Sequence, residues 1–148
     1  MDTLVKTLVE LEAEARRFLS GLSPQADSAT LVTLSGDLGA GKTAFAKAVA
    51  HELGIEETVT SPTFVLEKIY QLGSETSKFK RLIHIDAYRL ETGSDLAPLG
   101  FDELMQDSGN LILLEWPEKV EDALPASVAH LSITVNNDDS RTFLYTYG

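Results

Sequence analysis

At 148 residues the chain has the length of one domain, and a hydrophobic share of 43% is enough to close a sizeable core. A formal charge of −11 argues against autonomous nucleic-acid binding through a basic footprint, and zero cysteines exclude disulfides, thiolate metal sites and cysteine nucleophiles. No apolar stretch approaches the roughly 18 to 20 residues of a membrane span, and Met1-Asp2 lacks the basic-then-apolar order of a signal peptide, so a cytoplasmic protein with no membrane partner is expected.

Leu4, Leu8, Leu11, Ala15, Phe18 and Leu19 recur at helical spacing, which predicts a helix over residues 4–19 packed against a sheet. Residues 21–29, rich in Gly, Ser, Pro and Asp, read as a loop. Leu31-Val32-Thr33-Leu34 is a short apolar run suited to a buried strand, and Ala44, Phe45, Ala48, Val49 and Leu53 predict a helix ended by Gly54. Strands are expected over residues 65–72 and 82–85, as an antiparallel pair around a polar tip at 73–80. Residues 94–105 read as two short helical pieces broken around Pro98-Leu99-Gly100, residues 111–114 as an apolar strand, and residues 118–124 as a short helix. Two last strands, 131–135 and 142–147, flank Asn136-Asn137-Asp138-Asp139, a hairpin-turn cluster. The expected fold is a single α/β domain of the P-loop NTPase class, a mixed central sheet flanked by helices.

Between the first strand and the second helix, Gly36-Asp37-Leu38-Gly39-Ala40-Gly41-Lys42-Thr43 fits G-x-x-x-x-G-K-[ST]. A glycine-rich turn of this kind points successive backbone N–H groups inward, Lys42 can reach β- and γ-phosphates, and the Thr43 hydroxyl can ligate magnesium, so a nucleoside triphosphate is implied. A hard cation on oxygen ligands also suits a chain without cysteine. Such a site needs a carboxylate for the metal shell and a group that orients the attacking oxygen. Asp86 follows Leu82-Ile83-His84-Ile85, and Glu115 follows Leu111-Ile112-Leu113-Leu114. Each acid stands where open α/β sheets gather ligands, and either can serve.

Other residues have two readings. Thr60-Ser61-Pro62-Thr63-Phe64 is a proline-fixed hydroxyl turn, either a switch over the γ-phosphate or a plain turn into the next strand. His84, Tyr88 and Arg89 surround Asp86 with an imidazole, a phenol and a guanidinium, although a lone histidine is more often a satisfied core residue. Trp116, before Pro117, is either core or an interface anchor.

Gly36 to Thr43, Ser61-Pro62-Thr63-Phe64, His84-Ile85-Asp86-Ala87-Tyr88-Arg89, Gly100-Phe101-Asp102-Glu103-Leu104 and Leu114-Glu115-Trp116-Pro117 together resemble the TsaE (YjeE) family of bacterial ATPases over nearly the whole chain. The resemblance implies an ATPase that works with the proteins TsaB and TsaD to make threonylcarbamoyladenosine at position 37 of tRNAs reading codons that begin with A. It implies that the ATPase resets that complex rather than transferring the group, and meets tRNA only through it.

Carried across by position, ATP or ADP would be held by Gly36, Leu38, Gly39, Ala40, Gly41, Lys42, Thr43 and Ala44, with the amides of residues 38–42 on the phosphates. Thr43 and Glu115 would share Mg2+, with Asp86 beside them as metal support or to orient water, so that Lys42, Asp86 and Glu115 form the catalytic set. Thr60, Ser61 and Thr63 would be switch hydroxyls; His84, Tyr88, Arg89 and Trp116 would belong to the switch or an interface. Many members carry a hydroxyl where this chain has Ala44, which leaves its backbone N–H for the α-phosphate. An adenine pocket between the first helix and the last strands would use Thr7 and Arg141, and no guanine-reading Asn-Lys-x-Asp string occurs. Two other classes compete: a small-molecule kinase with Asp86 as base and Arg89, Lys78, Lys80 or Arg81 as a phosphate clamp, and a nucleotide-gated binding switch.

Overall fold

The alternation of apolar runs and helical segments yields one seven-stranded mixed sheet in a computed structural model that describes residues 2–55, 66–72, 78–126 and 129–147. In chain order the elements are β1 (Asp2–Val5), α1 (Leu8–Ser20), β2 (Thr30–Ser35), α2 (Lys42–Glu52), β3 (Glu67–Gln71), β4 (Arg81–Asp86), α3 (Phe101–Met105), β5 (Asn110–Glu115), β6 (Ala129–Val135) and β7 (Arg141–Tyr147). Across the sheet the order is β1-β7-β6-β2-β5-β4-β3. The four central strands run parallel; β3 pairs antiparallel with β4 at one edge, and at the other β7 pairs antiparallel with both β6 and β1.

Parallel strands covered on both faces must be apolar nearly throughout, which is why β2 and β5 read as unbroken hydrophobic runs. On one face Val32, Leu34 and Leu113 pack against α1 and α2, where Phe18 and Phe143 each meet Phe45 edge-on. On the other, Leu31, Ile83, Ile85, Ile112 and Leu114 pack under Leu96, Phe101 and Leu104. Gly100, at φ 72°, breaks a 3₁₀ segment (Gly93–Leu99) from α3, as the Pro98-Leu99-Gly100 break predicts. The antiparallel β3–β4 pair and the β6–β7 hairpin also match expectation. Among the described residues no helix is long and apolar enough to cross a membrane.

Two expectations need correction. The first helix starts at Leu8, not Leu4, because residues 2–5 find ladder partners in β7 and become an edge strand. Thr7 then caps α1, its hydroxyl accepting the Glu10 N–H at 3.1 Å while the Glu10 carboxylate accepts the Lys6 N–H. Leu4 and Leu8 are consequently exposed. Residues 118–124 form no single helix: Pro117–Lys119 and Glu121–Ala123 are two 3₁₀ turns, separated at Val120, which is buried in the core.

Candidate functional site

Parallel register brings the ends of three strands together. Leu34 pairs with Glu115 and Asp86 pairs with Glu115, so the chain leaving β2, the acid ending β4 and the acid ending β5 share one sheet edge. From β2 the chain enters the glycine-rich loop. A Cβ on Gly36, whose φ is +152°, would lie 2.6 Å from the Ile133 carbonyl oxygen of β6, so only glycine fits there. Gly41, at φ 117°, turns the chain into α2, whose first amides have no carbonyl partner within the helix and face an incoming anion. The Ala40 N–H is already bonded to the Asp37 carbonyl at 3.0 Å, so this one of the loop amides is engaged within the loop itself.

The loop borders a cavity of about 330 Å³ lined by Leu38, Gly39, Gly41, Lys42, Thr43, Ala44, Asp86, Tyr88, Glu115 and Trp116. Lys42 spans its floor. The Lys42 Nζ donates to the carbonyls of Gly36 and Asp37 and sits 4.2 Å from the centre of the Trp116 ring. Burial pushes the Lys42 ammonium below its usual value, against the opposing pull of Glu115, Asp86, Glu118 and Asp37. A cation held by two neutral carbonyls and a ring face can exchange them for phosphate oxygens.

Glu115 is buried beside Thr43, whose Oγ1 lies 3.4 and 3.5 Å from the two carboxylate oxygens. On its other side the His84 Nε2 is 2.5 Å from the Glu115 Oε2. Asp86, also buried, accepts the Tyr88 N–H at 3.0 Å, which folds the turn leading to Arg89 at the surface. Thr43, Glu115 and Asp86 thus offer hard oxygen donors around one cavity. Among the described residues no three acidic, histidine or cysteine side chains gather as a metal cage.

Trp116 resolves between its two readings in an unexpected way. It is half-buried in the left-handed region at φ 63°, with its backbone N–H donating to the Leu34 carbonyl at 3.1 Å, and it lines the cavity. Tyr88 lies against it, with ring centres 5.0 Å apart. His84, by contrast, is 1% exposed and stands beside the Glu115 carboxylate. Thr60, Ser61 and Thr63 lie outside the described residues.

Thr7 and Arg141 do come together. With Leu8, Leu11, Phe143 and others they line a second cavity, of about 270 Å³, that shares Gly41 and Ala44 with the first. Both also have structural work: Thr7 caps α1, and the Arg141 Nε donates to the Ala40 carbonyl at 3.1 Å, tying β7 to the loop. No motif marks the apolar partners Leu8, Leu11 and Phe143; the β1–β7 pairing assembles them. Two of the cations of the kinase reading, Lys78 and Arg81, are elsewhere. Lys78 donates to carbonyls at the end of α1, and Arg81 pairs with Asp107 and Asn110 at the opposite end of β4 from Asp86.

The profile of a family described as threonylcarbamoyl adenosine biosynthesis protein TsaE matches residues 9–143. The tRNA threonylcarbamoyladenosine biosynthesis protein TsaE of Bacillus subtilis is 40% identical over 116 residues, 78% of this chain and 68% of that protein. Its namesake from Rickettsia bellii is 31% identical over 137 residues, 92% of this chain and 90% of that protein. The crystal structure of YdiB from Bacillus subtilis superimposes with a TM-score of 0.76 at 31% identity, covering 99% of this chain and 84% of that one.

Proposed function

This chain belongs to the TsaE family, and from that premise we propose that it is a magnesium-dependent ATPase of tRNA threonylcarbamoyladenosine biosynthesis. It acts in the cytoplasm on a complex of TsaB and TsaD, which modifies position 37 of tRNAs reading codons that begin with A, and it resets that complex between turnovers. The observation that carries this reading is the convergence of Lys42, Thr43, Asp86 and Glu115 on one cavity at the start of α2. With a charge of −11 the chain has no basic surface excess to hold tRNA alone, which favours contact through its partners.

The residues divide the work. Lys42 leaves the Gly36 and Asp37 carbonyls to meet β- and γ-phosphate oxygens, and the free amides at the start of α2 hold the same charge. Thr43 and Glu115 fit a magnesium ion, since both present hard oxygens beside the phosphate path. When bound, that ion would neutralise charge on the transferring phosphoryl group. Asp86 orients the attacking water, and Trp116 with Tyr88 closes the wall and limits other water. Adenine takes the adjoining cavity, where Leu8, Leu11 and Phe143 offer apolar surface and Thr7 and Arg141 a polar rim.

Phosphate release by the purified chain, with and without TsaB and TsaD, tests the assignment. Slow release alone and faster release with the partners is expected, because a site without a supplied arginine finger is incomplete. Equal rates would refute partner dependence. Reconstituted tRNA modification should stop after about one turnover when this chain or ATP is left out; undiminished repeated turnover would refute the reset role.

A further inference from the structure

We propose that His84 is a positioning residue whose hydrogen bond through Nε2 fixes the Glu115 carboxylate for metal and phosphate; the proposal rests on the ATPase reading above. Strand alternation puts His84 and Asp86 on the same face of β4, and the parallel register sets Glu115 beside Asp86 on β5. His84 therefore lies one step deeper than the two acids, 1% exposed, with the 2%-exposed Glu115 at 2.5 Å from Nε2. An ionised carboxylate can only accept, so the proton of this contact belongs to Nε2.

The other nitrogen gives the second argument. Nδ1 is buried and has no hydrogen-bond partner among the described residues. A bare lone pair is the cheaper orphan, so with Nε2 donating to Glu115 the ring leaves its less costly atom unpaired. Even so, an imidazole with one nitrogen unused is a poor filler in a layer that also holds Leu82 and Leu113, where an apolar ring would bury more surface without a polar atom to desolvate. What the imidazole supplies there is the bond to Glu115.

That bond decides where the carboxylate stands. Oε2 is tied to His84, whereas the hydrogen-bonding group that Oε1 meets among the described residues is the Thr43 hydroxyl at 3.5 Å, well beyond the usual span of a hydroxyl–carboxylate bond. Thr43 and Glu115 are thus held close without closing on each other. Freed from His84, the Glu115 side chain could rotate onto Thr43 or out into the cavity, and the gap would be lost.

The test uses the full chain and a fluorescent ADP analogue, with magnesium varied. His84→Phe should raise the magnesium concentration for half-saturation and lower kcat, each about ten- to a hundred-fold, as loss of a ligand's supporting bond does in other metal sites. KM for ATP at saturating magnesium should move far less. His84→Gln, which keeps an N–H donor, should recover most of the loss, and in a Glu115→Gln background His84→Phe should shift magnesium dependence no further. A folded His84→Phe with wild-type magnesium dependence, or one that loses as much without the Glu115 carboxylate, would overturn the proposal. If His84→Phe does not fold, His84→Asn, polar but too short to reach Glu115, takes its place with the same expected losses. A wild-type chain that binds the analogue without any magnesium effect would overturn the ATPase reading as well; normal wild-type behaviour with an unaffected variant overturns only the role of His84.

Discussion

Gly36→Ala is the sharpest mechanical test of the loop. The added methyl would stand 2.6 Å from the Ile133 carbonyl oxygen, and ordinary contact begins near 3.4 Å, so the backbone at 36 must retreat by 3.4 − 2.6 = 0.8 Å from β6. The carbonyl cannot yield easily, since β6 is pinned between β2 and β7. A φ of +152° adds strain of its own, about 1–3 kcal/mol for a residue with a side chain. Because the Gly36 carbonyl also accepts from Lys42, the retreat moves the lysine and the loop amides together. Displacements near 1 Å at reacting groups cost on the order of a hundred-fold in rate. The variant should therefore unfold about 1–3 kcal/mol more easily in urea and release phosphate about a hundred-fold more slowly. Gly54→Ala supplies the control. It shares a positive φ, 86°, but nothing lies within 4 Å of its Cβ, and it sits beyond the far end of α2. It should lose about 1–2 kcal/mol of stability and no turnover. Wild-type phosphate release by Gly36→Ala would refute the close-approach argument.

Three further outcomes follow from the same geometry. Burial holds the folded Lys42 ammonium below 10.5, so the unfolded chain binds the proton more tightly; stability is lowered by a fixed amount below the folded value and recovers as pH rises to 10.5. Lys42→Met should abolish turnover, leave urea stability at pH 7 unchanged or raised, and flatten the rise towards pH 10; a large loss of stability at pH 7 would contradict this. Since Trp116 is the sole tryptophan and faces the Lys42 ammonium, its emission should change when ATP with magnesium is added, and a spectrum indifferent to nucleotide would remove it from the cavity wall. Thr7→Val, which removes the cap of α1, should lower stability by about 1 kcal/mol and weaken nucleotide binding together; a loss of stability with unchanged nucleotide affinity would separate Thr7 from the adenine cavity.

The central strands and the phosphate loop were legible because local physics dictates them. A parallel strand covered on both faces can hardly be other than Leu31-Val32-Thr33-Leu34 or Leu111 to Leu114, and a loop that must pass Ile133 at close range needs Gly36. The short strand at the start was not, since Leu4 and Leu8 happen to fall at helical spacing with Leu11 and only pairing with β7 reveals β1. Thr7 and Glu10 did carry a start signal, the hydroxyl-x-x-acid box, which marks the boundary the periodicity blurs. His84 reads as a core residue or a proton handler; its actual partner, Glu115, is 31 residues away and becomes a neighbour only through β4–β5 register. The second cavity has no linear signature at all, because α1, the loop and β7 each contribute a few ordinary residues.

The tie between Arg141 and the Ala40 carbonyl spans 101 residues, and Gly36 takes its shape against Ile133. Every residue of the phosphate motif and both acids has been synthesised by the end of β5, yet neither of the walls that mould the loop has. A chain still emerging from the ribosome at that stage carries the complete set of motifs without two of the contacts that shape the glycine-rich loop. The final hairpin thus supplies the last two contacts that shape the loop, and a chain ended after β5 would carry every motif without them.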